Sequence, residues 1–205
     1  MRELSSIGLD LSYTRTGFAS VNDFGENFDT FLGTFKTYSE TPLVKRTSDI
    51  KSWVWESIHQ IGEPDVIVIE GPALAGCMSP MMNGLDMSIM VAVYEEFPKS
   101  AMIIVPPLTL KKYEGVKGSN KNLVVAKAKE CLPCGTKLCH DEADAFFLAL
   151  MGIDFMRLSN SVGLANVREN AHHVLYGTDC NKKGKPRGLI LREGEFFIPA
   201  RGCFV

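Results

Sequence analysis

The sequence predicts a mixed α/β domain. One five-stranded sheet, three strands antiparallel and two parallel, is flanked by helices and followed by a small β-rich appendage. Three observations carry this reading. The N-terminal segments are apolar and joined by short turns, which makes an antiparallel meander. The next apolar β-branched run is reached only through a helical stretch, the mark of a parallel strand covered on both faces. Helix-periodic and strand-like segments then alternate up to about residue 158.

Leu4–Asp10 builds through apolar and small residues toward a carboxylate, as in a buried strand. Thr16–Asn22 and Phe28–Lys36 are two further strands, linked by turns at Ser12–Arg15 and Asp23–Asn27. Pro42 opens an amphipathic helix whose Leu43, Ile50, Trp53, Val54, Ile58 and Ile61 share a face, and Gly62 stops it. Pro64–Glu70 is the fourth strand. A Met-rich helix runs from about Ser79 to Phe97, with a secondary reading as an adaptable contact surface. Ala101–Val105 is the fifth strand. A short helix at Leu108–Tyr113, a helix over Lys121–Cys131 and a strong helix over His140–Phe155 complete a domain of residues 1–158. Residues 159–205 read as a C-terminal β-rich extension with short strands at His173–Thr178, Gly188–Arg192 and Glu195–Pro199.

Composition narrows the class. The 205 residues are 45% hydrophobic and 22% charged, which excludes general disorder. No apolar run approaches the ~18 residues of a membrane span. The polar start and six scattered Cys point to a cytoplasmic protein rather than a secreted disulfide scaffold. The net charge of −2 hides segregation. Lys99–Lys129 holds seven Lys against one acid, Glu114, and Lys182–Arg192 holds five basic residues and no acid, leaving −13 elsewhere. Basic stretches neutralise phosphate and gathered acids hold cations, although solvated helix faces would give the same pattern.

Four acids stand where buried elements end. Asp10 closes the first strand, Glu70 closes VIVIE, and Asp141 and Asp144 are three apart on one helix. Three have an ordinary explanation alone: Asp10 as a strand-end hydrogen-bonder, Glu70 as a helix-facing or N-cap-like acid before Gly71-Pro72, and Asp141 as a helix cap; Asp144, crowded by Phe146, Phe147 and Leu148, is harder to explain away. Together they form an all-oxygen donor set suited to Mg²⁺ or Mn²⁺. Two such ions ~4 Å apart can activate water and stabilise the leaving oxygen of a phosphodiester.

The order of these pieces resembles the RuvC-type Holliday junction resolvases of the RNase H-like superfamily, as a phage or otherwise divergent member. The matching segments are IGLDLSYTRTGFAS, VIVIEGPALA, PPLTLKKYEGVKGSNKNLV and DEADAFFLAL. The resemblance implies an RNase H-like fold and a homodimer that binds four-way and other branched DNA and makes paired nicks. It implies that Asp10, Glu70, Asp141 and Asp144 hold two Mg²⁺ or Mn²⁺ ions. It makes Lys121 the group that neutralises the scissile phosphate, and Lys111, Lys112 and Lys117 contacts to the DNA backbone. Bacterial members carry an aromatic wedge soon after the fourth-strand acid; here Leu74 or Met78 stands in that region.

Other features carry their own readings. Lys182, Lys183, Lys185 and Arg187 form either a solvated turn or a hairpin tip tracking DNA. Cys131, Cys134, Cys139 and His140 have zinc-like spacing, with free thiols as the favoured alternative. The acids do not separate junction resolution from cleavage of flaps, Y-forks or RNA–DNA hybrids. A sugar-kinase or actin-like fold would also begin with GLD and a Thr-rich turn, but 205 residues are short for its two halves. A non-catalytic nucleic-acid-binding protein on the same fold is a further alternative, and retention of all four acids argues against it.

Overall fold

The computed structural model describes residues 3–24, 27–71, 80–116, 120–160, 166–168 and 171. Strands β1 (Leu4–Asp10), β2 (Arg15–Asp23) and β3 (Phe28–Lys36) are followed by α1 (Leu43–Ile61), β4 (Val66–Glu70) and α2 (Pro80–Glu96). Then come β5 (Ala101–Val105), α3 (Pro107–Glu114), α4 (Lys121–Cys131) and α5 (His140–Asn160). The sheet order is β3-β2-β1-β4-β5. β1–β2 and β2–β3 pair antiparallel, and β1–β4 and β4–β5 pair parallel. This is the expected three-plus-two sheet. Among the described residues no helix is long and apolar enough to cross a membrane.

Strand alternation assigns every side chain to one of two faces. On one face Ile7, Leu9, Phe18, Ile67, Ile69 and Met102 pack with Ile50, Val54 and Ile58 of α1 and Leu85, Ile89 and Val93 of α2. On the other, Leu4, Ala19, Val21, Val66, Val68, Ile103 and Val105 pack with α5. Asp10 and Glu70 continue the second series, two residues beyond Gly8 and Val68. Both therefore emerge on the α5 side, at the carboxyl ends of neighbouring strands. The register Leu9↔Ile69 makes them adjacent.

The first turns of helix α5 lie close to the sheet because Gly8 of β1 and Gly17 of β2 offer no Cβ beneath them. A Cβ on Gly8 would sit 2.0 Å from the Ala145 carbonyl oxygen, and one on Gly17 would sit 2.0 Å from that of Asp141. Glu142 takes up the helix start: its Oε2 accepts from the Cys139 backbone N–H at 2.8 Å, half of a capping box. Asp141 is thereby released from the capping role its position allows. Farther along, α5 is tied down by buried ion pairs. Arg157 grips Asp23 of β2 through Nε and Nη2 at 2.9 and 2.7 Å. Asp154 accepts from Tyr113 Oη at 2.5 Å and from Arg168 at 3.0 Å.

α5 runs five residues beyond the expected end at Phe155 because Asp154 and Arg157 are buried partners, not terminal surface groups. Lys117, Lys182, Lys183, Lys185, Arg187, Leu74, Met78 and nearly all of the C-terminal extension lie outside the described residues.

The close approach gives a stability prediction. Gly8→Ala should cost roughly 3 kcal/mol, because the obstacle is helix backbone rather than a movable side chain. Urea denaturation reads this directly, and an unchanged midpoint would mean that α5 does not rest on Gly8.

Candidate active site

A cleft of about 170 Å³ opens at the carboxyl end of β4, lined by Glu70, Pro107, Leu110, Lys111, Glu114, Asn120, Lys121, Val124, His140 and Asp144. Three helices build its walls. Pro107, Leu110, Lys111 and Glu114 recur at helical spacing, so α3 turns one whole face toward it. Asn120 caps α4 by accepting from the Leu123 N–H at 3.3 Å, which aims the positive end of that helix and Lys121 at the cleft. The first turn of α5 supplies His140 and Asp144.

Asp10 and Asp141 do not line this cleft but lie within electrostatic reach of the acids that do. Burial pushes the Asp10 carboxyl well above its usual range, and Glu70, Asp144 and Asp141 add repulsion. Asp10 and Glu70 face each other closely enough to share one proton. Burial also raises Glu70, with Asp144 adding to it and Lys111 opposing. Asp144 is raised by burial while His140 and Lys121 pull it down. His140 Nε2 stands 3.3 Å from Asp144 Oδ2, and Arg15 Nη1 stands 3.3 Å from Asp141 Oδ2.

The expected acidic quartet thus converges, and Lys111 and Lys121 face it. Lys112 is exposed and does not line the cleft, so only one of the two adjacent lysines points inward.

Among the described residues Cys131, Cys134, Cys139 and His140 are not gathered into a group that could hold an ion. Cys131 and Cys134 are exposed free thiols, and Cys139 is half-buried. His140 joins the acid cluster, because the i,i+4 spacing on α5 sets its ring against Asp144.

Three participants were not expected at the site. Arg15 and His140 reach it as the partners of Asp141 and Asp144. Glu114 is 5% exposed, and its carboxyl is pushed up to about 8, first by burial and then by Asp144. Its sequence signal is its isolation as the one acid among seven lysines.

The donor chemistry fits a hard divalent cation. All the carboxylates present oxygen, they repel one another, and both oxygens of Glu114 are buried without an N–H or hydroxyl donor, facing only the Asp144 carboxyl. Among the described residues no three acidic, His or Cys side chains are gathered into a ready-made cage, so the carboxylates must close on an ion to bind it.

Asp86 of α2 lies within electrostatic reach of Glu70, 4% exposed, with one oxygen unpartnered. Burial raises it from 3.8 to about 6. A raised folded-state value means the native protein keeps a proton that the unfolded chain releases. That stabilisation is complete below 3.8 and is lost as pH rises through about 6. Asp86→Asn should therefore raise metal-free stability by ~2 kcal/mol near neutral pH and by nothing near pH ~3.5. Thermal melts across pH test this, and a gain independent of pH would contradict it.

No protein-family model and no curated protein matches the chain. Solved structures do. RuvC of T. thermophilus in complex with Holliday junction substrate aligns at a TM-score of 0.62 and 18% identity, over 76% of this chain and 96% of that one. A second Thermus thermophilus RuvC structure aligns at 0.61 and 21%, over 76% and 97%. Over about three-quarters of its length the chain carries the RuvC-type, RNase H-like fold.

Proposed function

We propose that this protein is a divalent-metal-dependent, structure-selective DNA endonuclease that resolves four-way junctions by phosphodiester hydrolysis, acting as a homodimer that makes paired nicks. One observation carries the reading: Asp10, Glu70, Asp141 and Asp144, drawn from three distant segments, meet beside a cleft lined by Lys111 and Lys121. The fold shared with a RuvC that binds a Holliday junction supports it.

Asp10, Glu70, Asp141 and Asp144 would hold Mg²⁺ or Mn²⁺, two ions per site, which when bound supply an activated water and stabilisation of the leaving oxygen. The chain's own groups do the rest. Lys121 and the positive end of α4 attract the non-bridging oxygens of a phosphodiester, and Lys111 holds it from the α3 side. His140 stands against Asp144 and fixes its carboxylate. Arg15 does the same for Asp141. Backbone contacts of this kind supply affinity without sequence preference and make it salt-dependent.

Dimerisation has support on α2. Met87, Val91 and Tyr94 are about half exposed and recur at i, i+4 and i+7, an apolar stripe on a helix whose other face is core.

Labelled four-way, three-way, flap and linear DNA with Mg²⁺ or Mn²⁺ test the activity. Glu70→Gln and Asp144→Asn should each lower cutting by at least ~100-fold while junction binding in Ca²⁺ persists. Lys121→Ala should slow cutting more than it weakens binding. Full activity in the acid variants overturns the site assignment. Preferential cutting of flaps or RNA–DNA hybrids would redirect the substrate. A separate measurement addresses assembly: Val91→Glu should convert a dimer to a monomer in sedimentation, and an unchanged sedimentation coefficient would remove α2 from the interface.

A further inference from the structure

Glu114 is the one carboxylate in the cleft that the acidic quartet does not include. It ends α3 and is 5% exposed, and neither carboxylate oxygen receives an N–H or hydroxyl donor; the group it meets is another acid, the Asp144 carboxyl, close enough to share a proton with it. It faces the same cleft as Glu70 and Asp144.

Its backbone is held from two sides. Lys127 Nζ of α4 donates to the carbonyls of Glu114 and Gly115, both at 2.9 Å. Gly115, in the left-handed region at φ 65°, closes α3 with its N–H on the Lys111 and Lys112 carbonyls. The side chain is thus delivered into the cleft by a fixed backbone, without the exposure that would let water solvate it.

A buried carboxylate with no donor is costly unless something positive meets it. Lys111 is near enough to lower its pKa, yet it is not within ion-pair distance. The group that satisfies an all-oxygen cluster of this kind is a hard cation.

We infer that Glu114 is a fifth carboxylate ligand of this protein, joining Glu70 and Asp144 around a divalent cation on the lysine-lined side of the cleft. This deepens the nuclease reading and rests on it. The inference concerns cation binding, so it is read without DNA and without turnover.

The experiment is a Mn²⁺ titration of the metal-free full chain, followed by calorimetry and by the electron paramagnetic resonance signal of free Mn²⁺. Wild type, Glu114→Gln, Glu114→Asp and Asp144→Asn are compared. Glu114→Gln, which keeps size and removes charge, should weaken at least one Mn²⁺ site by about tenfold or more. Glu114→Asp should recover part of that loss. It also keeps the test decisive if the glutamine variant fails to fold.

If wild type binds Mn²⁺, Asp144→Asn loses it and both Glu114 variants match wild type, this inference falls and the nuclease reading stands. If wild type binds no Mn²⁺, both fall together. A change in melting temperature alone, with Mn²⁺ affinity untouched, assigns Glu114 a structural role and overturns the inference.

Discussion

The arrangement depends on one constraint, the contact between the first turns of α5 and the glycines of β1 and β2. A helix packed on a sheet is ordinarily held away by the side chains between them. Here Gly8 and Gly17 leave that space empty, and the Ala145 and Asp141 carbonyls occupy it. The consequence is positional. A carboxylate has a short arm, so acids on a helix and on a strand can share a cation only if the two backbones come close. Ala145, Ala149 and Gly152 continue the small-residue seam along β1. Arg157–Asp23 and the Asp154–Tyr113–Arg168 cluster then hold the far half of the helix in register.

That geometry concentrates like charge, and the fold distributes its cost unequally. Asp141 has Arg15 and Asp144 has His140. Asp10 and Glu70 face each other, with burial and repulsion both favouring a retained proton on Asp10. Asp86 adds a further buried acid within electrostatic reach of Glu70. Such a cluster is poor design for stability alone, because replacing buried charges by apolar groups is often neutral or stabilising. Its concentration at one end of the sheet marks a site whose electrostatics serve ligands rather than the fold.

Much of this was legible in the sequence, for identifiable reasons. Asp10 and Glu70 could be read because period-two alternation ends on each, and Asp141 and Asp144 because helical spacing pairs them. The meander and the parallel crossover followed from connection length. What could not be read depended on phase and distance. The spacing of Cys131, Cys134 and Cys139 is a local property, whereas the direction of His140 is set by how α5 sits on β1. Arg15 looked like a turn residue because its partner is far off in the chain. Glu114 was visible as a lone acid in a lysine-rich stretch. Its membership of the face formed by Pro107, Leu110 and Lys111 gained meaning only once that face was seen to border Glu70. The length of α5 was underestimated because burial of Asp154 and Arg157 is a tertiary fact.

The anchoring of α3 to α4 carries a consequence for how such a protein can diversify. Lys127 holds the carbonyls of Glu114 and Gly115 directly, the Val116 N–H reaches back to the Lys111 carbonyl, and Asn120 caps α4 on its own. The short stretch between Val116 and Asn120 therefore joins two elements already fastened to each other. Insertions, deletions and new side chains can accumulate there while the acids and lysines around it keep their places. The acid of α3 and the lysine of α4 are thus held against each other by contacts that do not depend on the sequence between them.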